Sequence, residues 1–312
     1  KGYIVRTAPY VAVVGGVNMD IGAVSAEDLV ARDSNPGHVT TSLGGVGRNI
    51  AHNLCLLGQQ TAMVTVMGDD DFGRRVQENA RDIGLDLSAS AVLPDCRTGT
   101  YLYIAGPDGD MALAVNDMAI YQRMTPDFLR QRLDFINGAD LVVLETNLPE
   151  DSIRWLCDNC RAPILADPVS TIKAEKLRPV LGKLAALKPN RLEAELLSGM
   201  SIRTPEDAAQ AARRLLDTGL GAVYISLGAE GIYAADRQGN TAWVPCAKCH
   251  VANATGGGDA VAAALAARMV LGDSLADTAR WAVGAGALAC EAETTINPAM
   301  CWDNIETILN RR

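Results

Sequence analysis

Short apolar runs and helix-periodic segments alternate along most of the chain. β-branched runs predict buried strands at Tyr10–Gly16, Thr61–Met67, Leu141–Glu145, Ile164–Asp167 and Ala222–Ser226. Apolar residues with a period near 3.6 predict helices at Arg48–Leu57, Phe72–Ile83, Pro126–Ile136, Glu150–Cys160, Arg191–Ser198, Pro205–Thr218, Gly257–Val270, Ser274–Ala292 and Trp302–Leu309. This alternation predicts a mostly parallel sheet covered by helices on both faces.

Two stretches interrupt the alternation. Ile21–Thr41 and Thr98–Asn116 contain short extended segments around turn signals such as Asn35-Pro36-Gly37 and Pro107-Asp108-Gly109. They predict a small β accessory beside the main sheet. Because no linker divides the chain, we expect residues 10–312 to form one domain.

Composition and charge narrow the class of partner. The 312 residues are 48% apolar, and 28 Lys and Arg against 37 Asp and Glu give a formal net charge of −9. That charge opposes binding to nucleic acid or to an anionic membrane, so a small-molecule partner is expected. No run reaches the roughly eighteen apolar residues of a membrane span, and the first residues lack an apolar signal core, which predicts a cytoplasmic protein.

The eight cysteines are scattered through the chain and are predicted to be reduced. Two local patterns suggest other chemistry: Cys157-Asp-Asn-Cys160, and Cys246-Ala-Lys-Cys249-His250, which matches c-type haem attachment. Haem attachment by that route requires export, and a zinc site would need two pairs about 85 residues apart to meet. We therefore expect neither haem nor zinc.

A glycine-rich turn provides the strongest chemical signal. Asn253–Ala260 (NATGGGDA) places three glycines directly before an apolar helix. The glycines permit close backbone approach, and the first amides of a helix attract anions, so the turn predicts an anion site. Asp259 at its rim is suited to accept a proton from an attacking hydroxyl. The alternative is an ordinary turn in which Asp259 only caps the helix.

A second glycine cluster, Gly44-Gly45-Val46-Gly47, also precedes a helix. Arg48 and Asn49 follow in the first turn, where they could bind a polyhydroxyl ligand lying against the glycine backbone. The cluster does not have the dinucleotide-binding pattern, because it does not follow a strand closely enough within a βαβ unit.

Lys188-Pro189-Asn190-Arg191-Leu192-Glu193 ends a predicted strand and begins a helix. Asn190 and Glu193 are three residues apart and share a helical face, forming an oxygen-rich patch suited to hydrated Mg²⁺. The alternative is a capping box, with Asn190 as N-cap and Glu193 at the third helical position.

Together, these motifs resemble those of the ribokinase-like (PfkB) carbohydrate kinase family, over a span from Val11 to about Leu309. The motifs are GGVGRNIAHN (Gly44–Asn53), similar to the first family signature, NATGGGDA (Asn253–Ala260), similar to the second, and KPNRLEAE (Lys188–Glu195), similar to the metal-linked Asn-x-x-Glu motif. The resemblance implies a Rossmann-like three-layer α/β/α sandwich. It also implies a small β-lid, supplied by residues 21–41 and 98–116.

The resemblance implies a role for individual residues. Asp259 would be the catalytic base of ATP-dependent phosphorylation. The anion hole for the transferring phosphoryl group would be formed at Gly256, Gly257 and Gly258. Further contacts are implied with the sugar or nucleoside (Asn18, Asp20, Gly45, Asn49, Asn116 and Glu145), with ATP (Asn190, Ser226, Gly228 and Gly231) and with Mg²⁺ (Asn190 and Glu193).

Within the family, the chain most resembles pseudouridine kinases. The resemblance lies in Asp33–Gly37 (DSNPG), the first signature and Ala114–Met118 (AVNDM). This implies phosphorylation of a ribose 5-hydroxyl, with another nucleoside or a ribose-like sugar as the alternative substrate. Two residues depart from the family pattern: Asn253 replaces the usual Asp, and Gly257 the usual Ala. The first change removes a carboxylate from a region that binds a monovalent cation in relatives, so K⁺ activation is expected to be weak or absent.

Other readings of the chain remain as alternatives. A kinase-like fold can bind a sugar or nucleoside as a sensor without turnover, but Asp259 favours catalysis. An NAD-binding oxidoreductase is less favoured because no strand-linked G-x-G-x-x-G is present.

A homodimer through the β-lid is expected. Lys1–Val5 resembles the tail of a winged-helix module that precedes some related kinases, which makes residues 1–9 a candidate remnant of such a module.

Overall fold

A computed structural model describes residues 9–311, so the segment Lys1–Val5 lies outside the described residues. The strands are β1 Val11–Val14, β2 Asn18–Ser25, β3 Gly37–Gly44, β4 Thr61–Val64, β5 Val66–Gly68, β6 Ala91–Leu93, β7 Gly99–Ala105, β8 Met111–Asp117, β9 Leu141–Glu145, β10 Ile164–Asp167, β11 Ala186–Leu187, β12 Ala222–Ser226, β13 Ile232–Asp236 and β14 Thr241–Val244. The α-helices are α1 Val46–Leu56, α2 Asp71–Ile83, α3 Pro126–Arg130, α4 Leu133–Asn137, α5 Glu150–Asn159, α6 Thr171–Ala174, α7 Arg191–Ser198, α8 Pro205–Asp217, α9 Gly257–Val270, α10 Leu275–Cys290 and α11 Trp302–Leu309.

The main sheet has the strand order β14-β13-β12-β11-β10-β9-β1-β4 within residues 9–311. The strands from β12 to β4 pair in parallel, and β13 and β14 extend the sheet antiparallel at one edge. Parallel strands bring their carboxyl ends to one edge of the sheet, and in open α/β sheets ligands bind at that edge.

Apolar residues on both faces of the main sheet are buried. Side chains alternate between the two faces along a strand. In β1, Ala12 and Val14 belong to one core and Val11 and Val13 to the other. Residues of α3 to α8 pack into the first core, and residues of α1, α2 and α9 to α11 pack into the second. This arrangement confirms the predicted α/β fold, with helices on both faces.

The sequence misplaced several element boundaries. The predicted strand Thr61–Met67 is two strands, because the N–H of Thr65 donates to Ser90 Oγ at 3.1 Å and β5 pairs with β6 in a separate sheet. The predicted helix Pro126–Ile136 is also divided, because Arg132 leaves the helical conformation, with φ −113° and ψ 2°. The strands β13 and β14 were missed.

A separate sheet, ordered β3-β2-β7-β8, contains the two stretches that interrupt the strand–helix alternation. Asp20 is paired with Tyr101, and Tyr101 with Asn116, so these side chains form one row on one face. The next row, with Ile21, faces the other way. This sheet is called the small sheet below.

The helices of residues 9–311 include none that is long and apolar enough to cross a membrane.

Candidate active site

The three motifs meet in one cavity beside the carboxyl edge of the main sheet. The cavity has a volume of about 500 Å³ and is lined by residues from all three. Val46 comes from the first signature, Asn190 and Glu193 from the Asn-x-x-Glu segment, and Gly258 and Asp259 from the glycine turn. Segments far apart in the sequence therefore form one site.

The glycine turn begins helix α9. Gly256 is the N-cap, with φ 90°, and Gly257 and Gly258 are the first helical residues. The Gly257 N–H makes only a long contact with the carbonyl of Ala254, at 3.4 Å. Because first-turn amides lack acceptors inside the helix, they suit an anion. Asp259 is the third helical residue, so the alternative that it is the N-cap is wrong.

The Asp259 carboxyl group is held by one amide. Its Oδ2 accepts a hydrogen bond from Asn49 Nδ2 at 2.9 Å, across 210 residues of sequence. Burial, with the nearby Asp167 carboxylate, raises the pKa of Asp259 to about 7, although Asn49 and Lys188 act in the opposite direction. A carboxyl group with a pKa near neutrality is suited to receive a proton at physiological pH.

A buried ion pair that the sequence analysis did not assign lies behind the glycine turn. Lys188 Nζ is 3.0 Å from Asp167 Oδ2 and donates to the carbonyl of Gly258 at 3.2 Å. Burial by itself lowers the pKa of Lys188, but the Asp167 carboxylate raises it above its usual value overall. The ammonium group therefore stays charged beside the glycine turn. Two sequence signals could have indicated this ion pair, namely the lysine of the KPN segment and the aspartate that ends β10.

Asn190 and Glu193 form the capping box that was the alternative interpretation. Asn190 Oδ1 accepts from the N–H of Glu193 at 2.9 Å, and Glu193 Oε2 accepts from the N–H of Asn190 at 2.8 Å. The box does not use Glu193 Oε1, which forms no hydrogen bond within residues 9–311. Burial raises the pKa of Glu193. Within residues 9–311, no group of three or more His, Cys, Asp or Glu side chains could hold a metal ion.

The residues predicted to bind ATP divide into two groups. Ser226, at the end of β12, and Gly228, with φ 59°, line the cavity together with Asn190. Gly231 is not among the lining residues; a Cβ there would lie 1.9 Å from the carbonyl of Val244. The close packing against β14 explains why position 231 is a glycine. Contact between Gly231 and ATP stays a prediction.

Asn18 and Asp20 begin the small sheet next to the first signature. Asn18 is buried and its Nδ2 donates to Asp20 Oδ1. Burial raises the pKa of Asp20, while Asn18 and the charge of Arg48 lower it. Gly45, the N-cap of α1 with φ 98°, packs so closely that a Cβ would lie 2.6 Å from the carbonyl of Gly16. These residues form a compact polar surface, and their contact with a sugar stays a prediction.

Glu145 is completely buried, with both carboxyl oxygens engaged by the protein. Oε1 accepts from the N–H of Gly16, and Oε2 accepts from the N–H and side chain of Asn147, at 2.9 and 2.6 Å. Burial raises the pKa of Glu145 to about 7. In this conformation the carboxyl group ties the end of β9 to the loop after β1. Its role as a sugar ligand stays a prediction.

Asn116 is exposed on β8, in the same row as Tyr101 and Asp20. It does not line the cavity that contains Asp259. The row extends from the polar surface at Asp20 outward along the small sheet, so a ligand contacting Asn116 would need to extend beyond a simple sugar.

The side chain of Asn253 is hydrogen-bonded to its own loop and to the segment that follows α10. Its Oδ1 accepts from the N–H of Thr255 at 2.9 Å, and its Nδ2 donates to the carbonyl of Glu293 at 2.9 Å. Weak K⁺ activation stays a prediction.

All eight cysteines are free thiols in the structure.

Comparison with known proteins identifies the family. The pfkB family carbohydrate kinase model matches residues 8–301. The chain is 36% identical over 305 residues to pseudouridine kinase from Escherichia coli (strain K12), covering 97% of each chain.

Solved structures agree. A carbohydrate kinase from Agrobacterium tumefaciens has a TM-score of 0.86 and 28% identity, covering 97% of each chain. Arabidopsis thaliana ribokinase, solved with ribose and ATP, also has a TM-score of 0.86, with 22% identity over 98% of this chain and 100% of its own. The family model spans most of the chain, and the arrangement of the three motifs around one cavity agrees with it, so this protein belongs to the pfkB family of carbohydrate kinases.

Proposed function

We propose that this kinase transfers the γ-phosphoryl group of ATP to the ribose 5-hydroxyl of pseudouridine, giving ADP and pseudouridine 5′-phosphate. The observation that carries the proposal is the Asp259 carboxyl group, held by Asn49 at the N-terminus of α9. The similarity to pseudouridine kinase over nearly the whole of both chains supports the choice of substrate.

In the proposed reaction, Asp259 receives the proton of the ribose hydroxyl as its oxygen bonds to phosphorus. The bond between phosphorus and the bridging oxygen of ADP breaks at the same centre. Amides of the glycine turn and the charged Lys188 would stabilise negative charge on the transferring group, because preorganised donors in a water-poor site act strongly on developing charge.

A hydrated Mg²⁺ fits the Asn-x-x-Glu motif. Glu193 Oε1 is not used by the capping box, and carboxylate oxygen is a ligand that Mg²⁺ prefers. Because Mg²⁺ usually keeps several waters and binds substrate phosphates, few protein ligands are needed. The ion would neutralise charge on the ATP phosphates.

Glu193→Gln should raise the Mg²⁺ concentration needed for half-maximal rate by about tenfold while leaving nucleoside affinity nearly unchanged. The change replaces an anionic oxygen by a neutral amide, and even partners outside the first coordination shell typically contribute about 10–100-fold to metal affinity. Rates measured across a Mg²⁺ titration and nucleoside binding by calorimetry provide the two readouts. Glu195→Gln, a carboxylate on the same helix that bonds the N–H of Ile202, is the control. Lost nucleoside affinity with an unchanged Mg²⁺ requirement would contradict the assignment.

The substrate is tested by offering pseudouridine, uridine, inosine and free ribose with ATP and measuring ADP release. We expect pseudouridine to give the highest kcat/KM, with uridine and ribose behind by about 10²-fold or more, because polar groups built to meet a base remain unpaired when the match is lost. Pseudouridine offers two ring N–H donors where uridine offers one, and the Asn116 carbonyl is a suitable acceptor.

Two other outcomes of this substrate comparison would contradict the choice of pseudouridine. A higher kcat/KM for uridine or inosine would show a different nucleoside kinase of the same family. Binding of several compounds without phosphorylation of any would favour the sensor function.

We also propose that a second copy of this chain covers the face of the small sheet that carries Ile21. Val39, Leu113 and Val115 are 69%, 60% and 61% exposed there, an apolar surface unusual for a monomer. Val115→Asp should convert a dimer to a monomer in sedimentation velocity. Ile172→Asp, at an 88% exposed apolar site on α6, should leave the mass unchanged. A wild-type monomer would contradict the proposal.

A further inference from the structure

Arg48 places a buried guanidinium group next to the proposed active site. The residue is 6% exposed, and its Nη2 contacts His52 Nδ1 and donates to Asn79 Oδ1, both at 2.9 Å. Its Nη1 donates to the carbonyl of Leu43 at 3.1 Å and to Asn49 Oδ1 at 3.3 Å. Its Nε is buried and has no hydrogen-bond partner within the described residues. The group is thus held from α1, α2 and the end of β3.

This placement is costly for folding. Burial lowers the pKa of Arg48 to about 10, with the Asp20 carboxylate acting in the opposite direction. Burial, together with the charge of Arg48, lowers the pKa of His52 to about 4, so His52 is neutral and its ring nitrogen can accept. A buried charge is weak support for stability. Its position beside Asn49 suggests a different role.

The Asn49 amide has two ends with opposite hydrogen-bonding character. Its Oδ1 faces the Arg48 guanidinium, which can only donate, and its Nδ2 faces the Asp259 carboxyl group. If the amide rotated by half a turn, its NH₂ would face the guanidinium donors and its oxygen would face the carboxylate. Arg48 therefore fixes which end of Asn49 reaches Asp259.

We infer that Arg48 is a positioning residue, which orients the Asn49 amide so that it donates to the carboxylate of Asp259. The inference rests on the proposed function, in which Asp259 is the base. A donor on one oxygen stabilises the anion and leaves the other oxygen to receive the proton of the substrate hydroxyl. Without Arg48, the rotated amide would accept a hydrogen bond from protonated Asp259 and so stabilise the form that cannot act as a base.

Other charged groups near Asp259 do not depend on Arg48. Those that affect the proton on Asp259 are Asp167 at the end of β10, Lys188 directly after β11 and Glu145 at the end of β9. Arg48 itself interacts with Asp20 and His52. Its effect on Asp259 should therefore pass through Asn49.

The inference is tested by titrating the carboxyl group of Asp259 by NMR in protein labelled with ¹³C at aspartate, with the signal assigned by its loss in Asp259→Asn. Arg48→Met should raise the pKa of Asp259 by about one pH unit, the size expected when a hydrogen bond to a charged group is lost. Arg48→Lys keeps a donor and should give a smaller shift. Arg268→Met, which removes an arginine bonded to Asp273 at the far end of α9, is the matched control and should give no shift.

A double-variant cycle separates positioning from charge. Asn49→Ala should raise the pKa of Asp259, and adding Arg48→Met should raise it no further, because the amide through which Arg48 acts is gone. An equal shift from Arg48→Met with and without Asn49 would overturn the inference, as would no shift in the single variant. Arg48→Lys and Asn49→Ala also keep the test decisive if Arg48→Met does not fold.

Kinetics give a second readout. The acid limb of the kcat/KM profile with the best acceptor, which reports the free enzyme, should move to higher pH by the same amount as the NMR titration in Arg48→Met. An unmoved limb in an active variant would overturn the inference. If no acceptor is phosphorylated by the wild-type protein, the proposed function fails, while the NMR titration still decides the role of Arg48.

Discussion

Asp259→Asn should lower kcat by about 10²–10⁴-fold, the usual contribution of a positioned general base. Asparagine has nearly the same shape as aspartate, so the glycine turn and the cavity should be preserved. It cannot receive a proton from the ribose hydroxyl at neutral pH. Steady-state ADP release and calorimetric binding of the nucleoside separate lost chemistry from lost binding.

The pH dependence gives the same prediction a second test. Because burial raises the pKa of Asp259 to about 7, the group is protonated below that pH and kcat/KM should fall as the pH falls through it. The residual activity of the asparagine variant should lack this limb. Asp217→Asn, which removes an exposed carboxylate at the end of α8, should keep both the rate and the limb. A variant at position 259 that retains most of its turnover would contradict the assignment of the base.

Gly256→Ala should lower kcat by about 10²-fold or more, because small misplacements of reacting groups are expensive in rate. Gly256 has φ 90°, which L residues rarely adopt, and an added Cβ would lie 2.2 Å from the carbonyl of Thr295. The backbone would have to move, displacing the amides of Gly257 and Gly258 from the phosphoryl group. Turnover and thermal unfolding of the variant measure the two consequences.

Gly257→Ala is the matched control for that prediction. Gly257 is helical, and an added Cβ would lie 3.1 Å from Cys290 Sγ, a side-chain atom that can move by a few tenths of an ångström. The family resemblance also implies that alanine is the usual residue at this position. We expect kcat within a few-fold of wild type. Equal losses in the two variants would show that backbone conformation at Gly256 is not the cause.

Much of the fold was readable because its signals are local. The buried runs of β1, β9, β10 and β12 are short and apolar, and the helices start at recognisable caps, such as Thr204 before α8 and Ser274 before α10. The errors occurred where a tertiary contact overrides the local pattern. At Thr65, a hydrogen bond with Ser90 ends one strand and begins another within a continuous apolar run.

The sequence by itself determined the chemical parts of the site. The chemical character of the glycine turn depends on a few consecutive residues. Glycines allow unusual φ angles, and the amides and the carboxylate lie in the first helical turn. Gly256 and Asp259 could therefore be proposed for the site without a structure. The resemblance added their order along the chain. It also added the family, which the comparisons confirmed.

Only the tertiary structure decided which groups meet. Asn49 and Asp259 are 210 residues apart and Lys188 and Gly258 are 70 apart, yet each pair is hydrogen-bonded. The complete burial of Glu145 is likewise a property of the packed sheet. The contact of Asn49 with Asp259 depends on α1 and α9 packing into the same core. The burial of Glu145 depends on the strand order, which places β9 between β1 and β10. Periodicity reports which face of an element is buried and not which element lies next to it, so the partners of each polar group could not be read from the chain.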